Sequence, residues 1–82
     1  MASADEVVEA AAAAAEESIF EAYAQSGVSD VDVTVHFQDA ELTIDVYLDA
    51  NAETPEEQER EAAVVDEAVT AAQEAVDTLL EE

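Results

Sequence analysis

Val31-Asp32-Val33-Thr34-Val35-His36-Phe37-Gln38-Asp39-Ala40-Glu41-Leu42-Thr43-Ile44-Asp45-Val46-Tyr47-Leu48 alternates apolar with polar residues, breaks step at Asp39-Ala40, and alternates again. A period of two belongs to a β-strand with one buried face. Two strands, about 31–38 and 41–49, are therefore expected. The apolar residues are odd-numbered before the break and even-numbered after it. An antiparallel hairpin keeps both sets on one face only with a tight turn at 39–40, which sets Phe37 opposite Leu42 and His36 opposite Thr43.

On either side of this hairpin the period lengthens to that of a helix. Ser3-Ala4-Asp5-Glu6 matches a capping box, in which the Ser hydroxyl and the Glu carboxylate satisfy backbone amides at a helix start. From there Val8, Ala12, Ala15, Ile19 and Ala22 recur at helical spacing, with Phe20 and Tyr23 widening the stripe. Ser26-Gly27 is expected to end this helix, glycine accepting the left-handed conformation of a C-cap, so the helix is read as about 4–25. Thr54-Pro55-Glu56-Glu57 supplies an N-cap, a proline at the first helical position and a second capping box. A second helix, about 55–80, carries Ala62, Val65, Val69, Ala72, Val76 and Leu79. The whole chain, 1–82, reads as one α+β domain of α-β-β-α order, an antiparallel hairpin covered on one face by two helices.

Composition bounds what such a domain can do. Its 82 residues hold 23 Asp and Glu against one cation, Arg60, for a formal charge of −22. Half the chain is apolar, which separates it from acidic disordered tails. The apolar half is thin, however: 19 alanines and 11 valines leave Ile19, Ile44, Leu42, Leu48, Leu79, Leu80, Phe20, Phe37, Tyr23, Tyr47 and Met1 as the larger residues. Without cysteine there is no disulfide or thiolate metal site. One cation cannot neutralise phosphates, so nucleic acid and anionic membranes are excluded as partners. The longest apolar run, Ala10 to Ala15, is far short of the roughly 18 residues of a membrane span. Acids spread along the chain, lysine absent and Ala and Val in place of larger aliphatics suit a salt-rich cytoplasm, with K⁺ and Na⁺ held diffusely; the alternative, an acidic mimic that engages a basic partner, would more naturally gather its acids on one face. No cofactor is expected.

Two surfaces are candidates for function. The polar sheet face gathers Thr34, His36, Thr43, Asp45 and Tyr47, where a histidine beside a carboxylate and a hydroxyl has the elements of a general base. A solvated strand face explains the same residues, Thr and Tyr being favoured in strands. Carboxylate pairs such as Glu16-Glu17, Glu56-Glu57 and Glu81-Glu82 supply hard oxygen ligands, but no Ca²⁺ loop or metal-binding histidine motif accompanies them. The second surface is the far end of the second helix, which is longer than the strands beneath it and makes Val76, Leu79 and Leu80 candidates for contact with another protein; packing against the first helix or a second subunit is the favoured alternative for them. An isolated two-stranded sheet has two open edges, and a homodimer that extends the sheet is the expected remedy. A heterologous protein partner is the alternative.

The order α-β-β-α, with D-V-T-V-H-F at Asp32–Phe37 and L-T-I-D-V-Y-L at Leu42–Leu48 followed by an acidic helix, resembles a family of short archaeal proteins of unknown function encoded beside the prefoldin beta subunit. The resemblance implies an archaeal cytoplasmic setting and a link to protein folding or translation. It transfers no catalytic residue or ligand. A non-enzymatic interaction protein is the favoured reading. The alternative is a small binding module or weak enzyme using the sheet face around His36 and Tyr47.

Overall fold

The computed structural model describes residues 3–81, with the backbone alone at Gln25. Met1 and Glu82, the latter half of the Glu81-Glu82 pair, lie outside the described residues. Helix α1 spans Ala4–Ala22, a short 3-10 turn Gln25–Gly27, strand β1 Asp30–Gln38, strand β2 Glu41–Asp49 and helix α2 Pro55–Glu81. The strands pair antiparallel in the register that parity demands, with Phe37 opposite Leu42, His36 opposite Thr43 and Val33 opposite Val46. The fold is α+β, with α1 lying over β1 and α2 over β2.

Side-chain chemistry sets the helix ends. The Ser3 hydroxyl accepts from the Glu6 amide at 3.2 Å, and the Thr54 hydroxyl accepts from the Glu57 amide at 3.1 Å. In the second box the Glu57 carboxylate reaches past the cap residue to the Glu53 amide, at 2.9 Å. Helix α1 stops three residues before the expected end. Tyr23 is already extended (φ −129°, ψ 141°), its amide donating to the Ile19 carbonyl. Gly27 does not adopt a positive φ. Its amide closes the 3-10 turn on the Ala24 carbonyl at 2.8 Å, so the glycine follows the helix end without making it.

The buried rows share Ala15, Ile19, Ala72 and Val76 with the expected stripes and differ from them elsewhere. In α1 they are Val7, Ala11, Ala15 and Ile19, and in α2 Val64, Ala68, Ala72 and Val76. Val8, Ala12, Val65 and Val69 are half-buried, and Ala62 is exposed. Both buried rows step by four, the ridge along which two helices interdigitate. Alanine at Ala11, Ala15, Ala68 and Ala72 lets the backbones approach closely, and the helices contact each other more extensively than either contacts the sheet. The hydrophobic face of the hairpin packs on this pair, yet of its apolar residues only Leu48 is buried, at 6 % exposure. Val31, Val33, Val35, Phe37, Leu42, Ile44 and Val46 stay half-buried. Two helices side by side need about 16–20 Å, and two strands supply about 10 Å. Each helix therefore overhangs the outer edge of the strand beneath it.

Candidate functional site

The five polar-face residues do share one surface. Thr34 pairs with Asp45, His36 with Thr43, and Tyr47 with Asp32. His36 and Thr43 are exposed, Tyr47 is 54 % exposed and Thr34 is half-buried. His36 meets a hydroxyl directly across the ladder, and Asp45 only on the diagonal. None of the five lines any of three clefts, which are walled instead by Phe20 with residues 28–31, by the helix junction at Tyr23 and Arg60, and by Ala14, Glu17, Ser18, Glu21 and Ala71. Among the described residues, no three of His, Asp and Glu are grouped to hold a metal ion.

The overhanging helix end is mostly occupied. Val76 is 2 % exposed and sits in the interhelical core, so it is not available to a partner. Leu79 is half-buried against that core, and Leu80, 52 % exposed, is the one open large side chain of the three.

The strand edges carry more chemistry. In a two-residue hairpin the residues flanking the turn, Gln38 and Glu41, form a hydrogen-bonded pair, and such pairs recur at every second position. The even-numbered residues of β1 thus spend their backbone groups on β2. The amides and carbonyls of Val31, Val33, Val35 and Phe37 point the other way, out of the sheet, and those of Leu42, Ile44, Val46 and Leu48 do the same on the β2 side. Among the described residues no loop or helix backbone pairs with the four β1 groups. A cleft of about 320 Å³, lined by Phe20, Val28, Ser29, Asp30 and Val31, opens where α1 overhangs the start of β1.

The other end of β2 is tied down. The Ser29 amide donates to the Asp49 carbonyl at 2.8 Å, the Ser29 hydroxyl to Asn51 Oδ1 at 3.0 Å, and the Ala50 amide to Glu61 Oε2 at 3.0 Å. Beside this knot Arg60 donates from Nη2 to the Ala22 carbonyl at 2.8 Å and lies 4.8 Å from the centre of the Tyr23 ring. A cation near the end of α1 suits the negative pole of that helix, and the aromatic face adds a cation–π contact. Sequence reasoning missed this clamp. One signal was available: Arg60 stands near the start of α2, where the dipole favours carboxylates, so its charge had to serve another element. The cleft at Arg60, about 300 Å³, also presents Glu57, and the guanidinium is already engaged, which leaves poor prospects for an anion.

The family described as "Protein of unknown function (DUF3194)" matches over residues 2–79. An uncharacterised protein of the haloarchaeon Natronomonas pharaonis is 50 % identical over 78 residues, covering 95 % of this chain and 88 % of the relative. No solved structure matches. No helix among the described residues is long and apolar enough to cross a membrane.

Proposed function

Because the chain belongs to this family, with a haloarchaeal relative, we propose that it is a non-enzymatic interaction protein of the salt-rich cytoplasm, completed by a protein partner at its sheet. One observation carries the reading: a two-stranded sheet whose nine-residue strands both have open outer edges, beside apolar residues left half-buried by the helices. Free edges attract further strands, and proteins normally block or cover them. The resemblance to proteins encoded beside the prefoldin beta subunit makes protein folding and translation the first settings in which to seek the partner. A second copy of the chain is the simplest partner to test.

The test is recovery of the tagged chain from lysate kept in molar KCl, followed by sedimentation. Recovery in a defined complex, with itself or another protein, supports the reading. Recovery solely as a free 8.7 kDa monomer overturns it.

A further inference from the structure

We propose that the open edge of β1 is a strand-addition site for an extended, cationic segment of a partner protein. This rests on the interaction reading above and adds which edge is used and what chemistry fills it. Strand addition draws affinity from main-chain hydrogen bonds and specificity from alternate side chains. Both parts are in place at β1. The outward amides and carbonyls of Val31, Val33, Val35 and Phe37 form a continuous row, and the side chains of the same residues are half-buried under α1. An added strand would therefore lay its own apolar side chains on the face that continues beneath the helix overhang. The cleft roofed by Phe20 and bordered by Val28 and Val31 is where that face begins.

Charge selects the occupant. Asp30 lines the cleft, and Asp32 follows on the exposed face of β1. On α1, Glu9, Ala13, Glu16 and Phe20 are spaced by four, three and four, which puts both carboxylates on the helix face that Phe20 presents to the edge. Arg60 is spent at the helix junction, so no cation offsets these four acids. The polar positions of an incoming strand fall on the exposed sheet face, where Lys or Arg meets Asp32, and Glu9 and Glu16 add their negative charge from the helix side of its backbone.

A second copy fits this edge poorly. Antiparallel pairing of β1 with its own mate puts the strands about 4.8 Å apart and both α1 helices on the same side. Because α1 lies over β1, a strand spacing of about 4.8 Å would bring the two helices closer than the 8–10 Å that packed helices require. They would also oppose two faces of the same negative charge. A segment with no helix of its own avoids both conflicts.

The probe is a synthetic strand-length peptide alternating valine with lysine and arginine, titrated in molar KCl, where long-range attraction is screened to about 3 Å. The native chain should bind one peptide. N-methylation of the valines and N-methylation of the basic residues remove alternate amides, so one of the two should weaken binding about tenfold or more, as expected when several net hydrogen bonds are lost. Val33→Pro, which blocks the outward edge of β1 where proline is tolerated, should weaken binding equally, and Val46→Pro on β2 should not. Circular dichroism checks that both variants fold, and if Val33→Pro does not, the methylated peptides test strand addition while undiminished binding by Val46→Pro excludes the β2 edge. Equal binding of all peptides would reduce the effect to charge adhesion and overturn the proposal, as would loss on Val46→Pro alone. A dimer of the peptide-free chain that Val33→Pro splits would give the edge to a second copy instead. Failure of the peptide while the native chain still emerges from lysate in a complex would remove this inference and leave the interaction reading standing.

Discussion

Asp39 and Ala40 turn the hairpin with φ of 52° and 64°, the pair of left-handed conformations of a type I′ turn. Aspartate tolerates that region because its side chain can bond locally, whereas an alanine Cβ crowds the following carbonyl. Ala40→Gly should therefore stabilise the fold by about 1 kcal/mol, raising the melting temperature by about 4–8 °C for a domain of this size. A lowered melting temperature would mean that the turn is not strained. Arg60 is the other residue with an effect out of proportion to its exposure. Arg60→Gln removes the charge at the end of α1 and the cation over Tyr23, and should cost about 1–2 kcal/mol. Arg60→Lys should recover only part of this, since the ammonium lacks the planar fork that bonds a carbonyl while stacking on a ring. Thermal melts of the two variants in the same salt would separate charge from shape: equal losses would make the planar group the essential one.

Among the elements, the hairpin's register was legible to the residue because alternation and parity act together, and only the start of β1, at Asp30, fell one position before the expected 31. A slip of one position would turn every valine of β1 to water. Val33→Asp should abolish folding, since an unpaired charge under the helices costs several kcal/mol. Thr43→Asp should be tolerated, because Thr43 is exposed and faces His36. Circular dichroism in molar KCl reads both, and equal tolerance would refute the register. Helix α2 was legible in extent, α1 ended three residues short of its expected end, and neither was fully legible in facing. Runs such as Ala10 to Ala15 give the same side chain at every angle, so the heptad-like spacing of Val8, Ala12 and Ala15 could not be told from the row of four that contains Val7, Ala11 and Ala15. What decides between them is close backbone approach, a tertiary property that favours alanine where the helices touch. Ala72→Leu, at a fully buried contact, should accordingly destabilise by about 1–3 kcal/mol through overpacking, and an unchanged denaturation midpoint would argue that the helices are not seated on this row. Val76 belongs to the expected stripe and to the observed row alike; the length of α2 offered it as a partner contact, and the interhelical packing places it inside. At the site, alternation made the polar face around His36 readable. The open strand edges were readable as well, since a two-stranded sheet has two of them, whereas the Arg60 clamp needed the third dimension because it joins residues 38 apart in sequence.

Over the whole molecule, a charge of −22 is carried by a body with Cα extents of 44 × 20 × 17 Å. Its accessible surface is 5472 Å², against about 4,700 Å² for a compact protein of this mass. The elongation lengthens the distances between acids but leaves a core built largely of alanine and valine, each burying little apolar area. The balance between repulsion and burial is therefore set by the solvent. At an ionic strength of 0.01 M the screening length is about 30 Å, so acids throughout most of the molecule repel one another, and at 1 M it is about 3 Å, so only neighbours do. Unfolding spreads the charges apart, and repulsion that is relieved on unfolding destabilises the compact state. The helical signal and the melting temperature should both fall as KCl is dialysed away and return when it is restored. Replacing KCl with NaCl at equal ionic strength should give the same curve, because a screening mechanism is indifferent to which monovalent cation is present. A melting temperature independent of salt would mean that the carboxylates are far enough apart in the folded chain to cost nothing, and a curve that depends on K⁺ specifically would point to bound ions in place of a diffuse atmosphere.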